Sequence, residues 1–209
     1  MRKILAIVIG VGIVAGTAYF LMRQSAPAQV VIENYPSPGS NVIAFGDSLV
    51  KGVGSTPGND FISRISRELD IPIVNEGVNG NTTADGLKRI DKVLENDPKL
   101  VLVLFGGNDV LQKVPAETTF KNLETMIQKI HEKDAMVVLL GIPSGLFFRD
   151  LYEPQYRALA EKYNTAYVPN ILAGLFGHQE YMSDTVHPND AGYEKMARLI
   201  SPVVNKLTK

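Results

Sequence analysis

The chain of 209 residues contains no cysteine. Disulfides, thiolate nucleophiles, Cys-ligated zinc and lipoprotein-type attachment are therefore excluded. Clusters of basic residues are also missing. Lys and Arg number 21 against 22 Asp and Glu, and the first 29 residues take three of the bases (Arg2, Lys3, Arg23) and none of the acids. The remainder is mildly acidic, which argues against a nucleic-acid partner, because neutralising phosphates requires clustered cations. There is no internal repeat and no low-complexity tract. Histidine is scarce, with only His131, His178 and His187, so any chemistry that needs an imidazole has few candidates. What the chain does have is length and 45% hydrophobic content, enough for one domain with its own core.

The N-terminus differs from the rest. Arg2 and Lys3 precede an uncharged run, Ile4 to Met22, which Arg23 closes. As a helix rising 1.5 Å per residue, such a run just crosses a hydrocarbon core of about 30 Å. Residues 1–23 are expected to be a transmembrane anchor; the competing reading is a signal sequence cleaved near Ala26–Ala28, although signal peptides usually have a shorter apolar core. In both cases the leading charges put the domain outside the cytoplasm, on the periplasmic or extracellular side. Two glycine patterns in the run carry little weight. Gly10 to Ala15 matches a dinucleotide fingerprint but lies within the apolar span rather than after a strand, and Gly12 and Gly16 have a helix-packing spacing that is common in membrane helices. Residues 24–40, with three prolines, read as a linker, which leaves 41–209 as the domain.

From Asn41 onward, short β-branched runs alternate with amphipathic segments. Strands are expected at Val42–Phe45, Ile73–Val74, Leu100–Phe105, Met136–Leu140 and Ala166–Val168. Helices are expected near Phe61–Leu69, Ala84–Leu94, Thr119–Lys133, Glu153–Tyr163 and Ala191–Leu207. This alternation implies an α/β fold with right-handed crossovers and a parallel sheet covered on both faces. In such a sheet ligands bind beyond the carboxyl ends of the strands. Polar residues follow three strands directly: "GDS" after the first, "NEGVNGN" after the second and "GGND" after the third.

Ser48, in the first of these, is read by itself as a helix cap. The Gly-x-Ser-x-Gly elbow is absent, since Val50 occupies its second glycine position. A nucleophilic serine needs a base, and the base needs an orienting group. His131 lies on a polar stretch of a predicted helix and is expected at the surface. His178 is expected in a loop. His187 differs, with Asp184 three residues before it and Pro188 immediately after, in a loop that ends where a helix starts at Asn189 or Asp190. An Asp-x-x-His loop lets the carboxylate turn back onto one ring nitrogen and leave the other free as a base. A metal pair is the other use of Asp and His, but nothing nearby supplies the remaining ligands. For a developing oxyanion, the N–H of Ser48, the N–H of Gly80 in a glycine turn and the side-chain amide of Asn108 are candidate donors, although Gly80 and Asn108 also fit plain turn chemistry.

"GDS" near the domain's start, the glycine turn, "GGND" after a buried strand and "DTVH" before the last helix resemble, in this order, the SGNH or GDSL-type hydrolase family. The resemblance spans about Asn41 to Ile200 and is nearest to the bacterial branch of thioesterase I/lysophospholipase L1-like arylesterases. It implies a three-layer α/β/α sandwich with a five-stranded parallel sheet of order 2-1-3-4-5, a site without metal or cofactor, and hydrolysis through an acyl-enzyme. Ser48 would be the nucleophile, His187 the base and Asp184 its orienter; Ser48, Gly80 and Asn108 would form the oxyanion hole. Glu76 departs from the small neutral residues expected there, and Asn81 stands where the branch often carries an acid, which bears on substrate preference.

The expected substrate is a small acyl ester or lysolipid. Leu146, Phe147 and Phe148, with Leu175 and Phe176, are candidates for the wall of an acyl groove, the alternative being ordinary packing beneath a loop. A carbohydrate O-deacetylase and a non-catalytic tethered binding module are the other functions weighed. The sequon Asn81–Thr83 reads as accidental so close to the expected site.

Overall fold

The computed structural model describes residues 31–144 and 150–209. The run Ile4–Met22 and the trio Leu146, Phe147 and Phe148 lie outside the described residues. Among the described residues no helix is long and apolar enough to cross a membrane.

Five strands form one sheet, β1 (Asn41–Gly46), β2 (Ile73–Gly77), β3 (Pro98–Leu104), β4 (Met136–Leu140) and β5 (Ala166–Val168), in the order β2-β1-β3-β4-β5. All neighbours are parallel, as expected. Every residue of β4 is buried, and so is all of β3 except Lys99. That explains their unbroken apolar runs, since a strand covered on both faces has no solvent side to alternate with. At the edge, β2 exposes Val74 and Asn75.

The longer helices are α2 (Phe61–Leu69), α3 (Thr83–Leu94), α5 (Ala116–His131), α6 (Glu153–Lys162) and α7 (Asp190–Thr208), and two short ones, α1 (Ser48–Lys51) and α4 (Gly107–Leu111), follow β1 and β3 directly. Helix α2 packs on α7, while α3 packs on α5 and α5 on α6. Two of the long helices start where side-chain caps dictate. Asp60 accepts from the N–H of Ser63 at 2.9 Å to open α2, and Thr82 and Asp85 form a capping box that opens α3, a feature worth about 1 kcal/mol.

Three strand ends lie level. Gly46 pairs with Gly77 of β2 and with Leu104 of β3. Strand order reverses here, between β1 and its neighbours, so the segments after β1, β2 and β3 converge on one crevice.

Two expectations need adjustment. The compact unit starts at Ile32 rather than at Asn41: Glu33 N–H donates to Asn164 O at 2.9 Å, and Asn34 Nδ2 donates to His131 O at 3.0 Å and to Ala135 O at 3.1 Å. His131, expected at the surface, is therefore half-covered, and its Nε2 is buried without a hydrogen-bond partner among the described residues. Burial lowers its pKa, with nearby Glu33 opposing. The polar sequence around His131 carries no sign that residues far upstream lie across it.

Candidate active site

At the end of β1 the chain doubles back immediately into α1. Gly46 permits this, because a Cβ there would sit 2.4 Å from Val50 Cγ2 and 2.5 Å from Leu104 O. The cap of α1 is Asp47, whose Oδ1 accepts from the Leu49 N–H at 3.0 Å. This corrects the reading of Ser48 as the cap. As the first helical residue, Ser48 has an N–H without an intrahelical acceptor and a side chain free of capping duty. Gly52, at φ 83°, ends α1 after one turn.

Ser48 is 8% exposed, and its Oγ lies 3.1 Å from His187 Nε2. On the other side of the ring, Nδ1 is 2.7 Å from Asp184 Oδ2. A carboxylate can only accept, so Nδ1 carries the proton and Nε2 offers its lone pair to the serine hydroxyl. Asp184 Oδ1 accepts from the N–H groups of Val186 at 2.8 Å and His187 at 2.7 Å. The His187 ring bond, helped by the Val186 N–H, holds the Asp184 carboxyl at about 2, well below the ordinary carboxylate range.

The loop carrying Asp184 and His187 is closed on itself. Ser183 N–H and Oγ both donate to His187 O, at 2.9 and 3.1 Å, and Met182 bridges to Pro188. Asn189 then caps α7, accepting from the N–H groups of Ala191 and Gly192. Gly54 backs this loop. It has φ +95°, and a Cβ there would lie 2.2 Å from Ser183 Oγ and 2.5 Å from Pro188 O.

The facing side of the crevice is built from the other strand ends. After β3, Gly107 opens the short helix α4, and Asn108 on it donates from Nδ2 to Asn81 O at 2.9 Å. The same Nδ2 lies 3.5 Å from Asp47 Oδ2. Gly80 sits in the turn after β2 at φ +78°, with open space where a side chain would project. Beneath them Asp109 is fully buried and accepts from Thr83 N–H at 2.9 Å, Thr83 Oγ1 at 2.5 Å and Thr119 Oγ1 at 3.3 Å. It thereby locks α4 to the start of α3. Asp47 is 2% exposed, and burial pushes its carboxyl up to about 7, against the pull of the Leu49 N–H and of His187.

Ser48, Asn108 and His187 open onto a cavity of about 260 Å³, walled by Leu49, Val110, Leu111, Ile142, Leu172 and Phe176 among others. Of the expected groove residues, Phe176 lines this cavity. Leu175 does not, being wholly buried in the core. Asn79 reaches the wall where its neighbour Gly80 does not. His178 lies apart from Ser48, its Nδ1 3.4 Å from Glu180 Oε1. Sequence reasoning missed Asp47 and Asp109, although each adjoins a residue that it singles out.

A model of the GDSL-like lipase/acylhydrolase family matches residues 44–195, which include Ser48, Gly80, Asn108, Asp184 and His187. The chain belongs to this family. Esterase TesA of Pseudomonas aeruginosa is 30% identical to it over 201 residues, covering 91% of this chain and 94% of the relative. Thioesterase 1/protease 1/lysophospholipase L1 of Escherichia coli K12 is 27% identical over 143 residues, 64% of this chain and 69% of the relative. The crystal structure of TesA matches with a TM-score of 0.72 at 30% identity, covering 80% of this chain and 99% of that one. As a member of this family the chain is a carboxylic-ester hydrolase of the serine acyl-hydrolase type.

Proposed function

We propose that Ser48 is the nucleophile, His187 the general base and Asp184 the residue that orients it. The N–H groups of Ser48 and Gly80 and the amide of Asn108 receive the oxyanion. The observation that carries this reading is the continuous hydrogen-bonded chain from Asp184 Oδ2 through the imidazole to Ser48 Oγ, at 2.7 and 3.1 Å, on the wall of an apolar cavity.

Ser48 Oγ attacks the ester carbonyl carbon while its proton passes to His187 Nε2. The tetrahedral oxyanion collapses, the alcohol leaves with that proton, and an acyl group remains on Ser48. Water attacks next and gives a proton to Nε2, and the second collapse returns it to Ser48 and frees the acid. The Asp184 carboxylate steadies the imidazolium in both halves.

The substrate this site supports best is an acyl ester with a medium chain, lysolipids included, because the cavity wall beside Ser48 is aliphatic and aromatic. The uncharged run Ile4–Met22, flanked by Arg2, Lys3 and Arg23, supports tethering of the domain to a membrane on its outer side, near such substrates.

In aryl-ester hydrolysis, Ser48→Ala is expected to abolish turnover and labelling by a fluorophosphonate; an unchanged rate overturns the assignment. A series of acyl lengths tests the substrate, and activity confined to acetyl esters would replace the medium-chain reading with an O-deacetylase. Membrane fractionation with intact-mass measurement tests the tether.

A further inference from the structure

One charged side chain touches the segments that carry the oxyanion donors, yet the acyl-transfer mechanism gives it no role. Arg89, on α3, donates from Nη2 to Gly46 O at 2.7 Å, from Nη1 to Glu76 O at 3.0 Å and from Nε to Asn81 Oδ1 at 2.8 Å. Gly46 ends β1, two residues before Ser48. Glu76 is in β2, and Asn81 follows Gly80. The main-chain oxygen of Asn81 is in turn the acceptor of Asn108 Nδ2, at 2.9 Å. Through Asn81, a single guanidinium therefore connects the three segments that supply donors.

The setting is rigid. The guanidinium lies 4.5 Å from the centroid of the Phe45 ring and 5.9 Å from that of Phe105, and these two rings meet edge to face. Its acceptors are two carbonyls and an amide. Among the described residues no carboxylate comes within ion-pair distance of it, so its charge is not cancelled by a direct partner. Only a planar fork makes three diverging bonds while stacked on an aromatic face; a lysine ammonium cannot reproduce that geometry.

We propose that Arg89 is the positioning residue of the oxyanion site, fixing the Ser48 and Gly80 N–H groups and, through Asn81, the Asn108 amide relative to one another. This rests on the acyl-transfer reading of the site. Stabilisation of an oxyanion depends on donors that are already aimed before charge develops, so a displacement of a few tenths of an ångström falls on the chemical step rather than on substrate binding.

The test uses the full chain with Arg89→Met, Arg89→Lys and Asn81→Ala. A fluorophosphonate titrates competent sites, so that kcat is expressed per active Ser48 and any unfolded fraction drops out. An alkyl boronic acid, whose adduct with the serine is a tetrahedral anion, reads donor alignment. The expected result for Arg89→Met is a fall of about 30-fold or more in kcat per titrated site with KM within about threefold, and a parallel weakening of boronate inhibition. Arg89→Lys does not restore the rate, and Asn81→Ala loses about tenfold per site. A per-site kcat within about threefold of the parent in Arg89→Met overturns the proposal and leaves Arg89 as a brace for stability. Where Arg89→Met does not fold, Asn81→Ala decides by the same readout. Retained hydrolysis in Ser48→Ala would instead overturn the mechanism underneath it, so the two failures are distinguishable.

Discussion

The site has two sides built in opposite ways. The base side is one short exposed loop. The bonds that fix Asp184 and His187 to each other and to Ser183 and Val186 join residues two to four apart in sequence, and the Asp184 side chain is 51% exposed. On the donor side the corresponding bonds join residues 8 to 43 apart, and Asp47 and Asp109 are buried. A catalytic base must be held yet remain reachable by a proton from water or a leaving group, which suits a self-closed loop at the rim. Oxyanion donors must be fixed before charge develops, and rigidity of that kind comes from packed strand ends and buried polar networks.

If the two sides act as one unit, the largest effect falls on the atoms that join them. His187→Ala should lower kcat/KM by about 10⁴-fold or more, and adding Ser48→Ala should cost nothing further, because members of such a unit are not additive. Ester hydrolysis by the single and double variants checks this, and a double variant much worse than either single one would separate the sides.

The buried side should show itself in the pH dependence of stability. The Asp47 carboxyl is raised to about 7 by burial, so the folded state holds that proton more tightly than the unfolded chain. Its contribution is intact below about pH 4 and is lost as pH rises through about 7. Asp47→Asn does not titrate, so between pH 4 and 8 its unfolding free energy should gain on the parent by a few kcal/mol at most, since each tenfold difference in proton affinity corresponds to about 1.4 kcal/mol. Denaturant titrations at the two pH values measure this, and parallel pH dependence in the two proteins would mean that Asp47 is ionised at little cost. Asp184 should behave in the opposite sense. Its carboxyl is held at about 2, so its contribution persists above about pH 4 and is lost only in stronger acid.

The smallest effect expected is at Gly54, where the two sides abut. A methyl group there meets Ser183 Oγ and Pro188 O at 2.2 and 2.5 Å, so Gly54→Ala should push the base loop away from Ser48. A drop of about tenfold in kcat, with the Ser48 side still titratable by fluorophosphonate, is the expected outcome. Equal loss of both readouts would show that the loop and the donor side shift together.

Legibility in the sequence follows the same division. Asp184 and His187 are legible because their geometry is local: three residues and a proline confine the loop. The five strands are legible because burial on both faces leaves an unbroken apolar run. Helices α1 and α4 are less visible, since four or five residues carry no periodicity. Ser48 reads as the cap because Asp and Ser are both good caps, and only the backbone shows that the helix starts at Ser48, with Asp47 before it. Arg89 reads as one more polar residue on an amphipathic helix, since its three acceptors lie 8, 13 and 43 residues away and none lies within its helix. His131 is misplaced for a related reason, because the residues that cover it are Glu33 and Asn34.

Composition and local pattern by themselves determined the class of fold, the strand runs, the Asp-x-x-His loop and the absence of cysteine chemistry, since each depends on the side chains of a few neighbouring residues. The tertiary structure alone decided that Ser48 Oγ meets His187 Nε2 across 139 residues of sequence, that Asn108 reaches the turn after Gly80, and that Arg89 binds the ends of β1 and β2 and the turn after β2. Such meetings depend on which strands lie side by side and where they end, and in a parallel sheet those neighbours come from distant parts of the chain.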